Sequence, residues 1–93
     1  MSAQTLRVPP KVRELIRRAH PDLKRKLRFA LAEILDDPSV GKRLQRELKG
    51  YQSLRVGRYR IIYRGVKSGI DVIAIGPRST IYQEIVPESD PRY

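Results

Sequence analysis

From Leu54 to Gly65 the chain reads Leu-Arg-Val-Gly-Arg-Tyr-Arg-Ile-Ile-Tyr-Arg-Gly, with arginine alternating with apolar residues on both sides of one Gly-Arg step. Alternation with period two marks strands that have one buried and one wet face. Gly57 permits the tight reversal between two such strands. The stretch therefore predicts an antiparallel hairpin whose wet face carries a row of guanidinium groups. On its second strand, parity puts Tyr59, Ile61 and Tyr63 on one side and Arg60, Ile62 and Arg64 on the other. The aromatic-rich side is the one to pack on a core. Arginines lined up on a sheet call for an anionic partner.

Strands are predicted over Gln52–Val56, Tyr59–Gly65 and Ile70–Ile75, with Gly57-Arg58 and Lys67-Ser68-Gly69 as the connecting turns. Thr5 to Val8 could add a short first strand, ended by Pro9-Pro10, where proline suits the first turn of a helix. Val12, Leu15, Ile16 and Ala19 then recur at helical spacing. His20-Pro21 interrupts that pattern, because the residue before proline is pushed out of the helical region. Leu23, Leu27, Ala30, Leu31, Ile34 and Leu35 form the stripe of a second helix, closed by Asp37-Pro38. Two helices joined this tightly form a hairpin. The segment from Ser39 to Gly50 reads as a polar connector. The expectation is one α+β domain spanning residues 1–93, a helical hairpin packed on a three- to four-stranded antiparallel sheet, with a mobile tail over 87–93.

A net charge of +10 on 93 residues predicts attraction to polyanions, nucleic acid or ribosome first and an acidic protein second. The chain has no cysteine and one histidine, which excludes disulfides, thiolate metal sites and a histidine triad. No metal or other cofactor is expected. The N-terminus lacks the uninterrupted apolar run of a signal peptide, and no stretch approaches the ~20 residues of a membrane span. A cytoplasmic protein without membrane contact is expected.

A helical hairpin ending in Asp36-Asp37-Pro38 is followed by Leu48-Lys49-Gly50, Leu54 through Tyr63, Ala74-Ile75-Gly76-Pro77-Arg78 and a tyrosine shortly after. In this order the motifs resemble the RelE/ParE superfamily of bacterial toxins from type II toxin–antitoxin pairs, over about residues 5 to 85. The resemblance implies a basic sheet surface and a cognate antitoxin partner. In the RelE branch that surface cleaves mRNA on the ribosome; in the ParE branch a similar fold inhibits DNA gyrase and cuts nothing. The RelE pattern has an arginine after the central strand's tyrosine, matched by Arg60. It has a second after the last strand's glycine, matched by Arg78, and a C-terminal tyrosine, matched by Tyr82. Its two lysines on the preceding strand have no match, since those positions hold Gln52 and Ser53.

Metal-free RNA cleavage needs a deprotonated 2′-hydroxyl, a stabilised phosphorane and a protonated 5′-oxygen. Guanidinium is suited to the second need, because it is planar, always charged and able to grip two phosphate oxygens. Arg60 is expected in that role, Arg78 as a second clamp, and Tyr82 as a base-stacking or 2′-hydroxyl-orienting group. Arg55, Arg58 and Arg64 are expected to position RNA phosphates. By type, His20 and Glu84 are the remaining candidates for a base, and His20 fits a capping role better. The favoured reading is a ribosome-dependent endoribonuclease. Gyrase inhibition and a non-catalytic basic RNA-binding module are the alternatives, and the absent lysines favour a member that does not cut.

Overall fold

A computed structural model of the protein describes residues 5–82. In chain order the elements are β1 (Thr5–Arg7), α1 (Pro10–Arg18), α2 (Pro21–Asp36), β2 (Lys42–Arg43), β3 (Gln52–Val56), β4 (Tyr59–Val66) and β5 (Gly69–Pro77). Short 3₁₀ turns at Pro38–Val40 and Arg46–Leu48 flank β2. The expected tail over 87–93 and Glu84 lie outside the described residues.

Both helices begin on proline, where a missing N–H costs no hydrogen bond. His20, held extended before Pro21, caps α2 by accepting the Asp22 N–H on Nδ1 at 3.2 Å. The single histidine is thus a helix cap. The last turn of α2 has no basic residue and ends near Glu33 and Asp36, an order the helix dipole disfavours by a few tenths of a kcal/mol. Burial outweighs that, for Leu27 and Ile34 are wholly enclosed and each such side chain contributes about 1.5–3 kcal/mol.

One core lies between the helices and one face of the sheet. Val12 and Ile16 from α1 and Leu27, Ala30, Leu31 and Ile34 from α2 meet Val56, Ile61, Tyr63, Ile70, Val72 and Ile75 from the strands. Tyr59 packs at the margin. The Tyr59/Ile61/Tyr63 parity expected for the central strand is therefore the one the molecule uses. Ile62, on the opposite face, is also fully buried, as is Ile81 after β5, so the face opposite the helices is partly covered rather than wholly wet.

The sheet has five strands in the order β1-β5-β4-β3-β2 and is mixed, which corrects the expected three to four antiparallel strands. The three longer strands run antiparallel through two-residue turns, Gly57 supplying φ +61 at the first position of the β3–β4 turn. β1 lies parallel to β5, with Thr5 opposite Gly69. A side chain at Gly69 would collide with the Thr5 backbone, so glycine is what admits this edge. Three residues at one chain end carry no period that would reveal their direction. β2 pairs antiparallel with β3 over two residues, too few to show alternation in the sequence.

Contacts from the core side hold β2 in place. The Tyr63 hydroxyl donates to the Pro38 carbonyl at 2.6 Å and accepts the Gly41 N–H at 2.9 Å. Gln52 Nε2 donates to the same Pro38 carbonyl at 2.9 Å. Burial pushes the Tyr63 hydroxyl above its ordinary pKa of 10.0; the Gly41 N–H pulls against this and the Asp37 carboxylate adds to it. The folded state thus binds the Tyr63 proton more tightly than the unfolded state, so this contribution is complete below about pH 10 and is lost as pH rises further. Tyr63→Phe is expected to cost about 1–3 kcal/mol, because it leaves the Gly41 N–H unpaired while the Pro38 carbonyl keeps Gln52 Nε2. In urea titrations the gap between wild type and variant should be constant at neutral pH and narrow above about pH 10. A gap unchanged in alkali would contradict the assignment.

Candidate anion-binding site on the far face of the sheet

The face turned away from the helices is built in rows by the strand register. Arg55 lies opposite Arg60, and Arg60 opposite Gly76. The next row runs Lys42, Ser53, Ile62, Ala74. Beyond it Arg64 stands opposite Asp71, which stands opposite Arg7. Like charges directly across a ladder repel, and Arg55 and Arg60 are paired in that way.

Arg60 is the best-fixed cation here. Its Nη1 donates to Ser53 Oγ at 3.0 Å, and its guanidinium carbon lies 6.0 Å from the centroid of the Tyr82 ring. The Tyr82 hydroxyl donates to the same Ser53 oxygen at 3.4 Å. Ser53 is only 2% exposed and is the one buried polar side chain of the described residues. Residues 81–82 thus return over this face and close a small arrangement of serine, arginine and tyrosine.

Arg60 Nε is buried and has no hydrogen-bond partner among the described residues. No carboxylate pairs with Arg60 among the described residues, although many of the other arginines find partners. Glu14 binds Arg17 at 2.8 Å and Arg18 at 2.6 Å on α1, Asp22 holds Arg25 at 3.3 Å, and Asp71 holds Arg7 at 3.6 Å. An unmade bond from a buried donor costs about 1–3 kcal/mol, more where the group is charged. A phosphate oxygen would supply that bond and the missing counter-charge.

The other expected residues are distributed around this point. Arg55 Nε donates to the Gly57 carbonyl at 3.3 Å. Arg64 lies over the Tyr51 ring at 5.6 Å. Arg58 and Arg78 are exposed and adjacent at the end of the sheet, where the Arg78 N–H donates to the Arg58 carbonyl at 2.8 Å. The fold therefore joins Arg60 to Tyr82 directly and places Arg78 at the rim. Gln52 faces the core side, bound to Pro38 and Gly41. His20 is committed to its cap at the helix junction. No cluster of acidic or histidine residues among the described residues could hold a metal ion.

Ser53 is the residue that sequence reasoning undervalued. Its signal was present, since within Gln52–Val56 it shares parity with Arg55 and so belongs on the arginine face.

The model of a protein family described as the ParE toxin of type II toxin–antitoxin systems matches residues 7–82. The chain belongs to this family. It is a toxin of the RelE/ParE superfamily, and solved toxin structures share its fold. The toxin–antitoxin complex RelBE2 from Mycobacterium tuberculosis is 29% identical, with 85% of this chain and 95% of that chain covered and a TM-score of 0.69. Isolated RelE of E. coli is 23% identical over 88% of this chain and 94% of its own, with a TM-score of 0.68. YafQ of E. coli is 19% identical over 85% and 98%, with a TM-score of 0.66. These last two likenesses establish the fold alone. No curated protein is similar enough in sequence to count as a relative.

An unpaired, partly buried guanidinium does little for the toxin's stability. Arg60→Met, which keeps the length and removes the charge, should leave the urea-unfolding free energy within about 1 kcal/mol of wild type, or raise it. A loss above about 2 kcal/mol would mark Arg60 as structural.

Proposed function

We propose that this toxin blocks translation by cleaving mRNA on the ribosome, with the scissile phosphate bound at Arg60. The orphaned Nε–H of Arg60 is the observation that carries this reading: a fixed cation, tied by Ser53 and faced by Tyr82, with one buried donor unspent. In the reaction the 2′-oxygen bonds to phosphorus, the 5′-oxygen departs with the bonding pair, and a proton passes from the first oxygen to the second. Arg60 neutralises the charge that gathers on the non-bridging oxygens. Arg78 clamps the same phosphate from the rim. Tyr82 stacks on an unpaired base, a contact worth about 1–3 kcal/mol, while Arg55, Arg58 and Arg64 hold neighbouring phosphates. Binding of ribosomal mRNA implies action in the cytoplasm. A cognate antitoxin is the expected protein partner, as in the RelBE2 complex and the YoeB–YefM complex of Staphylococcus aureus.

A second reading, inhibition of DNA gyrase without nuclease activity, is favoured by two observations. The matching family model is described as a ParE toxin, and β3 offers Gln52 and Ser53 where the RelE pattern has lysines.

Mapping mRNA 5′ ends in a translation reaction separates the two. Wild type should generate cuts within codons, and Arg60→Ala should reduce them about 10²–10³-fold. Intact message with supercoiling by purified gyrase abolished would establish the second reading instead. Intact message, unaffected gyrase and salt-sensitive RNA binding would identify a binding module.

A further inference from the structure

We propose that Lys42 is a phosphate-binding residue of the same face, presented beside Ser53 by an edge strand whose register is set from the core side. The inference rests on the reading that this face binds RNA, and it extends that face to a strand that sequence periodicity does not reveal.

The register places Lys42 directly opposite Ser53, and Arg43 opposite Gln52. Directly opposed residues share a face, with Cβ atoms about 4.5–5.5 Å apart. Lys42 therefore shares the face of Ser53, whereas Arg43 shares that of Gln52 on the core side. A slip of one residue would exchange them. Two residues of ladder make a weak constraint on register, but β2 has others. Tyr63 holds the Pro38 carbonyl and the Gly41 N–H just before the strand, Gln52 Nε2 reaches the Pro38 and Gly41 carbonyls at 2.9 and 3.4 Å, and Leu44 N–H binds the Tyr51 carbonyl at 3.0 Å just after it. A lysine serving only to blunt a sheet edge needs no such fixing, since either residue of β2 would carry the charge.

The surroundings suit an anion. Lys42 is exposed and makes no ion pair among the described residues. The acid on this face within the paired rows is Asp71, in a 3.6 Å ion pair with Arg7 that makes no hydrogen bond, and it lies toward the opposite edge of the sheet. Ser53 thus stands between two cations, Arg60 on β4 with its unpartnered Nε and Lys42 on β2. A strand of RNA whose phosphate is bound at Arg60 reaches Lys42 once it has crossed β3, on which Arg55 stands opposite Arg60 and Ser53 opposite Lys42. The compact ammonium on a flexible stem serves here as a point charge.

The test uses the full chain and a short single-stranded RNA carrying 2′-O-methyl groups, so that binding is read without cleavage. Replacing Lys42 by Ala should weaken binding several-fold and flatten the slope of log K against log salt by about 0.7, the value for one phosphate contact on a single strand. Lys42→Arg should restore both. Lys26→Ala, an equal change of charge on exposed α2, should leave the slope as in wild type. The proposal is overturned if Lys42→Ala matches wild type or Lys26→Ala, if Lys42→Arg loses as much as Lys42→Ala, or if wild type shows no salt-dependent binding. Binding through Lys42 by a chain that leaves message intact in translation would defeat the nuclease reading alone.

Discussion

The central strand β4 can turn only one set of alternate side chains toward the helices, and every functional feature of the molecule depends on which set it is. Ile61 and Tyr63 are wholly enclosed on the helix side, so Arg60 and Arg64 must face the other way. A register shift of one residue would bury two guanidinium groups and expose a tyrosine and an isoleucine. Unpaired burial of one such charge costs several kcal/mol, so the pattern is strongly specified. The two-residue turns then align β3 and β5 with β4, and the division of faces continues across the sheet on either side of one register shift on β5, between the partners of Ile62 and Tyr63.

Two tyrosines of similar chemistry serve opposite sides of that division. Tyr63 sends its hydroxyl through the core side to hold the connector before β2. Tyr82 brings its ring over Arg60 and its hydroxyl to Ser53 on the other. The first contributes stability. The second belongs to a group of side chains that is incompletely satisfied, with Arg60 Nε buried and without a partner among the described residues. Natural proteins keep such a deficit where a ligand completes it, and stability is commonly lower at such sites than an apolar replacement would give.

The sequence carried much of this. Period-two alternation located β3, β4 and β5 to within two residues and assigned the core face of β4, because long strands with one buried face record their surroundings residue by residue. The helical stripes of α1 and α2 were equally legible. The direction of β1 was not, since parallel pairing with β5 depends on a close approach at Gly69 that involves residues 64 positions apart. Nor was β2, whose two residues follow a connector that Tyr63 and Gln52 hold at Gly41 from distant parts of the chain. At the site, Arg60 and Tyr82 were legible as residue types in a superfamily pattern, whereas Ser53 looked like a mere departure from it. Only the paired strands show that Ser53 receives both Arg60 and Tyr82.

The toxin family and fold leave the target open in principle, because one scaffold can serve different chemistries, and the state of Arg60 decides whether this face is an anion site. Nitrogen-15 NMR of the arginine Nε–H groups, followed while an uncleavable single-stranded RNA is added, reads that state directly. A shifted and slowly exchanging Arg60 Nε–H at stoichiometric RNA, before the exposed Arg17 and Arg18 signals move, is the predicted result. An Arg60 signal that stays unchanged while the surface arginines respond would contradict the account.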